Sequence, residues 1–110
     1  MKGKLHGNSL DNPNLHHLYE IHDKKENEIF KYGISDDSIE DDGLSKRLRD
    51  QLNNMNLVVG WERFEGKILI TDIAGRKKAR EIEDSYIERY RTKHGRNPRG
   101  NPPLGRKPKK

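Results

Sequence analysis

"HLYEIHDKKENEIFKYGIS", residues His17 to Ser35, decides the fold. Leu18 to Ile21 and Ile29 to Ser35 are short runs rich in β-branched and aromatic residues, and the polar "HDKKENE" between them has a length that suits a hairpin. Two adjacent antiparallel strands are expected. Alternation sets Tyr19 and Ile21 against Leu18 and Glu20 on the first strand, and Ile29, Lys31 and Gly33 against Phe30, Tyr32 and Ile34 on the second. Tyr19 and Lys31 share a face if the register allows. From alternation alone Tyr19 is a packing aromatic and Lys31 is incidental. The alternative is the wall of an active site, because a nearby cation favours the phenolate of a tyrosine.

Downstream, the acidic "SDDSIEDDG" (Ser35 to Gly43) ends where Leu44, Leu48, Leu52 and Met55 begin to recur at three- and four-residue spacing. That spacing predicts an amphipathic helix of about three turns, which Asn53, Asn54 and Asn56 help to close. "LVVGWERFEGKILITDI" is dominated by β-branched and aromatic residues and predicts a third strand, or two if the chain doubles back at "EGK". From Arg76 to about Lys93 the helical period returns, with Gly95 placed as its C-terminal cap. The order predicts a small α+β domain, a three-stranded (four with the doubling) antiparallel sheet flanked by helices.

Composition fits one such domain. Of 110 residues, 29% are hydrophobic and 37% charged, which would suggest disorder were the apolar residues not gathered in periodic segments. Residues 1–16 are a polar junction, 17–104 the folded domain and 105–110 a basic tail. There is no cysteine, so disulfides and thiolate metal sites are excluded. No apolar run approaches the ~18 residues of a membrane span, and the opening residues contain no apolar signal core. Export would use a signal outside this sequence. The net charge of +5 favours a polyanionic partner. From Arg91 to Lys110 there are lysines and arginines but no Asp or Glu; this is a solvated basic tail or a phosphate-contact surface, in which Arg96 and Arg99 are candidate contacts.

Polar residues fall where the core should be. At about 100° per residue, Ala79, Ile82, Tyr86, Ile87 and Tyr90 lie within an arc of roughly 140°, and Glu83 falls inside it. An isolated buried carboxylate costs several kcal/mol, so Glu83 is paired with an arginine, partly exposed at an edge, or used for metal binding or catalysis. On the first helix Gln51 lies beside the apolar arc and Arg47 sits at its margin one turn earlier, so both could point to one place. Arg47 could equally snorkel over apolar surface. Arg49 and Asp50 point away, into solvent.

Taken in order, these residues resemble the GIY-YIG nuclease family over Leu18 to Asn101. "HLYEI" stands for the first motif, with Tyr19 matching its tyrosine; "KYGIS" stands for the second, with Gly33 matching its glycine and Lys31 and Tyr32 replacing Tyr and Ile. Arg47 in "SKRLRDQL" matches the family's helical arginine, and Gln51 takes the place of the His or Tyr that follows it. Glu83 in "AREIEDSYI" matches the metal-binding glutamate and Asn101 in "NPRGN" the closing asparagine. The acidic loop before the first helix is longer than the family's usual connection. It is a disordered loop, a decoy for the basic surface or a second cation site.

The resemblance implies metal-dependent phosphodiester hydrolysis. Tyr19 would deprotonate a water with Lys31 assisting, Glu83 would hold one Mg²⁺ or Mn²⁺, and Arg47 would neutralise charge on the phosphate oxygens. Gln51 and Asn101 would orient these groups, and Tyr32 and Gly33 would lie against the substrate. The expected partners are DNA, with RNA as the alternative. The polar opening resembles the junction before C-terminal toxin domains of bacterial polymorphic toxins, which implies delivery into the cytoplasm of a target cell as part of a larger protein, and an immunity protein, acidic against this basic surface. Two other functions stay open: a housekeeping or mobile-element nuclease of the same fold, and a catalytically idle nucleic-acid-binding module.

Overall fold

The computed structural model describes residues 9–101 and shows an α+β fold of three strands and two helices. The hairpin is β1 (Leu15–Asp23) and β2 (Glu28–Ser35), paired antiparallel with Tyr19 opposite Gly33 and Ile21 opposite Lys31. Its turn is tighter than the predicted loop. The Asp23 carboxylate accepts from the backbone N–H of Lys25 at 3.0 Å, and Asn27 takes a left-handed φ of 54°, so His22, Asp23 and Glu28 join the strands.

The third strand, β3 (Phe64–Ala74), pairs with the other edge of β1, giving the order β2-β1-β3. It runs through "EGK" without doubling back. Gly66 is there for packing: a Cβ would meet Leu52 Cδ1 at 2.8 Å and Leu48 Cδ2 at 3.2 Å. The central strand is covered on both faces. Tyr19 and Ile21 pack with Leu48, Leu52 and Phe64, while Leu18 packs with Ile34, Ile73 and Ala79. One helix serves each cluster, which is why β1 is almost continuously buried.

The first helix, α1 (Lys46–Val59), is capped by the Ser45 hydroxyl, which accepts from Leu48 N–H, and ends at Gly60 with φ 82°. It runs past the asparagines expected to close it. Leu57 and Val58, predicted to open a strand, sit on its last turn 80% and 85% exposed. The reason is Asn56, buried inside the helix, whose amide donates to Phe64 C=O at 3.0 Å and accepts from Phe64 N–H at 2.8 Å. That pair of bonds sets where β3 begins and satisfies backbone on an edge strand. Asn101 does the same at the opposite edge, bonding Tyr32 N–H and C=O at 2.9 Å each.

The second helix, α2 (Arg76–His94), stops at Gly95 with φ 78°, as its sequence predicts. The acidic loop is built into the fold. Asp37 accepts from Arg47 N–H at 2.8 Å, and Glu40 and Asp42 pair with Arg49 at 2.8 and 2.9 Å, so Arg49 is held rather than free in solvent. Among the described residues, no helix is long and apolar enough to cross a membrane. The expected basic tail, 105–110, and the first eight residues of the junction lie outside the described residues.

Candidate functional site

The hairpin register places Tyr19 and Lys31 on the α1 face of the sheet, two residue pairs apart, and α1 brings Gln51 between them. Lys31 Nζ donates to Gln51 Oε1 at 2.8 Å, and Gln51 Nε2 donates to the Tyr19 hydroxyl oxygen at 3.1 Å. The direction of this chain follows from chemistry. A lysine ammonium has no acceptor, so the carbonyl end of Gln51 must face Lys31 and its N–H₂ must face Tyr19. The phenol oxygen therefore receives a hydrogen bond, which stabilises negative charge on it and leaves the phenol's own proton to point elsewhere. Lys31 reaches Tyr19 through Gln51 rather than directly.

Gly33 makes the room. A Cβ there would lie 2.3 Å from both Cζ and the hydroxyl oxygen of Tyr19. The glycine admits the tyrosine ring, which is itself 3% exposed among Ile21, Leu48, Leu52 and Phe64. Tyr19 is thus both a packing aromatic and the end of a polar relay.

Glu83 enters from α2. Its side chain is 15% exposed, and its carboxyl is 3.9 Å from Arg80 Nε, too long for a hydrogen bond. Burial pushes its pKa up and Asp84 adds to this, while Arg80, Arg76 and Lys31 oppose. The ammonium of Lys31 is pushed down, chiefly by burial; Glu83 opposes this shift and Arg47 adds to it. Lys31 is therefore the group that feels both Glu83 and Arg47 electrostatically. Arg47 is exposed, and among the described residues its guanidinium has no ion pair.

Four other predicted residues sit outside this cluster. Arg96 and Arg99 bind Glu28 at 2.9 and 2.8 Å, and Arg99 also pairs with Asp23, a carboxylate with no exposed surface that Arg63 holds in a two-pronged pair at 2.8 Å. These two arginines fasten the segment after α2 to the hairpin turn. Asn101 spends its amide on the β2 backbone. Tyr32 points to the α2 face, its ring edge-on to Tyr86 at 5.5 Å, and burial pushes its phenol up.

His17 was not among the predicted site residues. It lies two residues before Tyr19 on the same strand, with 6.2 Å between ring centroids. It is 3% exposed, and its Nε2 has no hydrogen-bond partner among the described residues. Burial, which outweighs the opposing charges of Asp37 and Asp36, lowers its pKa and keeps the ring neutral at pH 7. Strand alternation from Tyr19 was the signal that could have found it.

A compact α+β domain with a partly buried lysine–glutamine–tyrosine relay and a carboxylate within electrostatic reach of its lysine defines the class by fold and site. Residues 9–95 match the family described as URI fold toxin 2, and the chain belongs to that family: it is a toxin domain. The match includes Tyr19, Lys31, Arg47, Gln51 and Glu83 and stops before Arg96, Arg99 and Asn101. No curated protein and no solved structure matches the chain.

Proposed function

We propose that this toxin domain is a divalent-metal-dependent endonuclease of the GIY-YIG kind, hydrolysing phosphodiester bonds with DNA as the preferred substrate. The observation that carries the reading is the relay from Lys31 through Gln51 to the Tyr19 oxygen, with the destabilised Glu83 carboxylate within electrostatic reach of its lysine. Glu83 fits a cation: its oxygens accept no hydrogen bond among the described residues, and burial disfavours its anion unless positive charge arrives. A Mg²⁺ or Mn²⁺ held there would supply charge neutralisation at the scissile phosphate.

The chain's own residues do the rest. Tyr19, once its phenol proton has passed to solvent, takes a proton from the water that attacks phosphorus, with the Gln51 N–H steadying the charge on the phenolate oxygen before that transfer. Lys31 fixes the orientation of Gln51. The Arg47 guanidinium binds a non-bridging phosphate oxygen as charge builds there. The P–O bond on the far side breaks and its oxygen leaves with the departing strand. In a cell this cleavage is the toxic act, exerted after delivery into a target's cytoplasm and blocked in the producer by an acidic immunity protein.

Gln51→Leu tests the relay. It removes both hydrogen bonds while keeping a helix former of similar size, and the proton-transfer group they support, Tyr19, would contribute typically about 10²–10⁴-fold. Plasmid cleavage in Mg²⁺ should fall by about that factor. Cleavage at the wild-type rate would show that the relay plays no part.

A further inference from the structure

On the α2 face, a groove of about 430 Å³ runs between the β2 side of the hairpin and the C-terminal half of α2. Its walls carry Tyr32, Tyr86, Tyr90, Arg89, Lys93 and His94. Tyr32 and Tyr86 meet edge to face at 5.5 Å, and Tyr90 and His94 lie 4.1 Å apart. The Arg89 guanidinium stands over the Tyr86 ring at 4.8 Å. Tyr90 is 6% exposed and its hydroxyl is within reach of Arg96, while His22, also on the groove, turns Nδ1 to Glu65 Oε2 at 3.7 Å. A groove walled by three tyrosines and His94 suits a ligand that carries planar rings of its own.

The charges specify that ligand further. Among the described residues the one carboxylate lining the groove, Glu28, is already neutralised by Arg96 and Arg99, whereas Arg89 and Lys93 are exposed cations. Planar rings interleaved with free cations suit an anionic chain that carries planar bases. A duplex keeps its bases stacked inside, so only an unpaired nucleotide can place a base against Tyr86 and a phosphate against Arg89 or Lys93. Position links the groove to the candidate site. Glu83, Tyr86 and Tyr90 lie at i, i+3 and i+7 on one stripe of α2, so Glu83 is about 10 Å along the helix axis from Tyr90.

We propose that this groove is a binding site for unpaired nucleotides, so that the domain engages single-stranded nucleic acid, or a frayed or bulged region, in preference to intact duplex. The inference rests on the nuclease reading above and supplies its substrate class.

Fluorescence anisotropy of the full chain tests it in EDTA, where cleavage plays no part. The probes are fluorescein-labelled oligo(dT), oligo(rU) and a mixed-sequence duplex, each of about twelve units. Both single strands should bind more tightly than the duplex, and the tighter of the two assigns DNA or RNA. Tyr86→Leu keeps apolar bulk and should weaken single-strand binding roughly 5- to 150-fold, the range for one stacked base. Arg89→Glu with Lys93→Glu changes only exposed positions, and should weaken binding and flatten its salt dependence. Equal binding of duplex and single strands overturns the inference, as does single-strand binding that survives both sets of substitutions. Groove-dependent binding without cleavage in Mg²⁺ would sink the catalytic reading alone. Cleavage with groove-independent binding would sink this inference alone.

Discussion

Gly33→Ala is the smallest change that addresses fold and site together. The added methyl would sit 2.3 Å from both Cζ and the hydroxyl oxygen of Tyr19, more than 1 Å inside the 3.4 Å at which ordinary contact begins. The tyrosine is packed against Ile21, Leu48, Leu52 and Phe64, so the ring must be driven into its neighbours or the β1–β2 pairing must open. Forcing extra volume into a packed core costs about 1–3 kcal/mol. For a domain of this size that lowers the melting temperature by about 4–8 °C per kcal/mol. Either response moves the phenol oxygen by about 1 Å away from Gln51, a misplacement that can cost about 10²-fold in rate. Thermal denaturation followed by circular dichroism, with plasmid cleavage below the melting transition, reads both effects. A variant that melts with wild type and cleaves as fast would refute the packing of Tyr19 on Gly33 as described.

Asn56→Ala should be among the most destabilising single changes, because it leaves the buried N–H and C=O of Phe64 without partners at about 1–3 kcal/mol each. A melting temperature within 3 °C of wild type would contradict the clamp. Asp23 is held below the usual carboxylate range, first by Arg63 and then by Arg99, against the opposing effect of burial. Because its folded pKa is depressed, its contribution is present above the unfolded value of about 3.9 and is lost as the pH falls towards the folded one. Urea denaturation between pH 7 and 3 should therefore be less acid-sensitive in Asp23→Asn than in wild type, and the variant should be less stable at pH 7. Equal acid sensitivity in the two would assign the loss to other groups. The raised pKa of Glu83 has the opposite sense: the cation-binding anion should disappear at a higher pH than for an ordinary glutamate near 4.3. At sub-saturating Mg²⁺, where the metal-free carboxyl titrates, the acid limb of the pH–rate profile for cleavage should be displaced upward accordingly, and a limb at or below the ordinary value there would argue against Glu83 as the group responsible.

The parts of this fold governed by local periodicity were legible in the sequence. Alternation in the hairpin allowed Tyr19 and Lys31 to share a face, subject to the register that pairs Ile21 with Lys31, and the helical arc singled out Glu83 and set Gln51 beside the α1 core stripe. Gly95 marked the end of α2 because only a left-handed cap suits that position. What escaped depends on partners far apart in the chain. Arg99 stood in a basic run, but Asp23, 76 residues earlier, claims its guanidinium. Asn101 was matched to a motif, yet its amide closes on the backbone of Tyr32, 69 residues away. "LVV" has strand propensity, but α1 carries it because Asn56 must remain helical to grip Phe64, an instance of tertiary bonding overriding local preference. Gln51 was placed in the right direction; that it joins Lys31 to Tyr19 emerges only when β1, β2 and α1 are assembled.

Glu83→Gln gives the most direct test of the central claim, that this site hydrolyses phosphodiester bonds with a cation held by Glu83. Wild type and variant are incubated with plasmid DNA and with total RNA, in Mg²⁺ and in EDTA, and each is also melted. Burial disfavours the Glu83 anion, so the neutral isostere should melt no lower than wild type at pH 7. Cleavage by wild type in Mg²⁺, abolished in EDTA and in an intact Glu83→Gln, is the predicted result. A wild type that cleaves neither substrate, or a folded variant that cleaves as well as wild type, would contradict it.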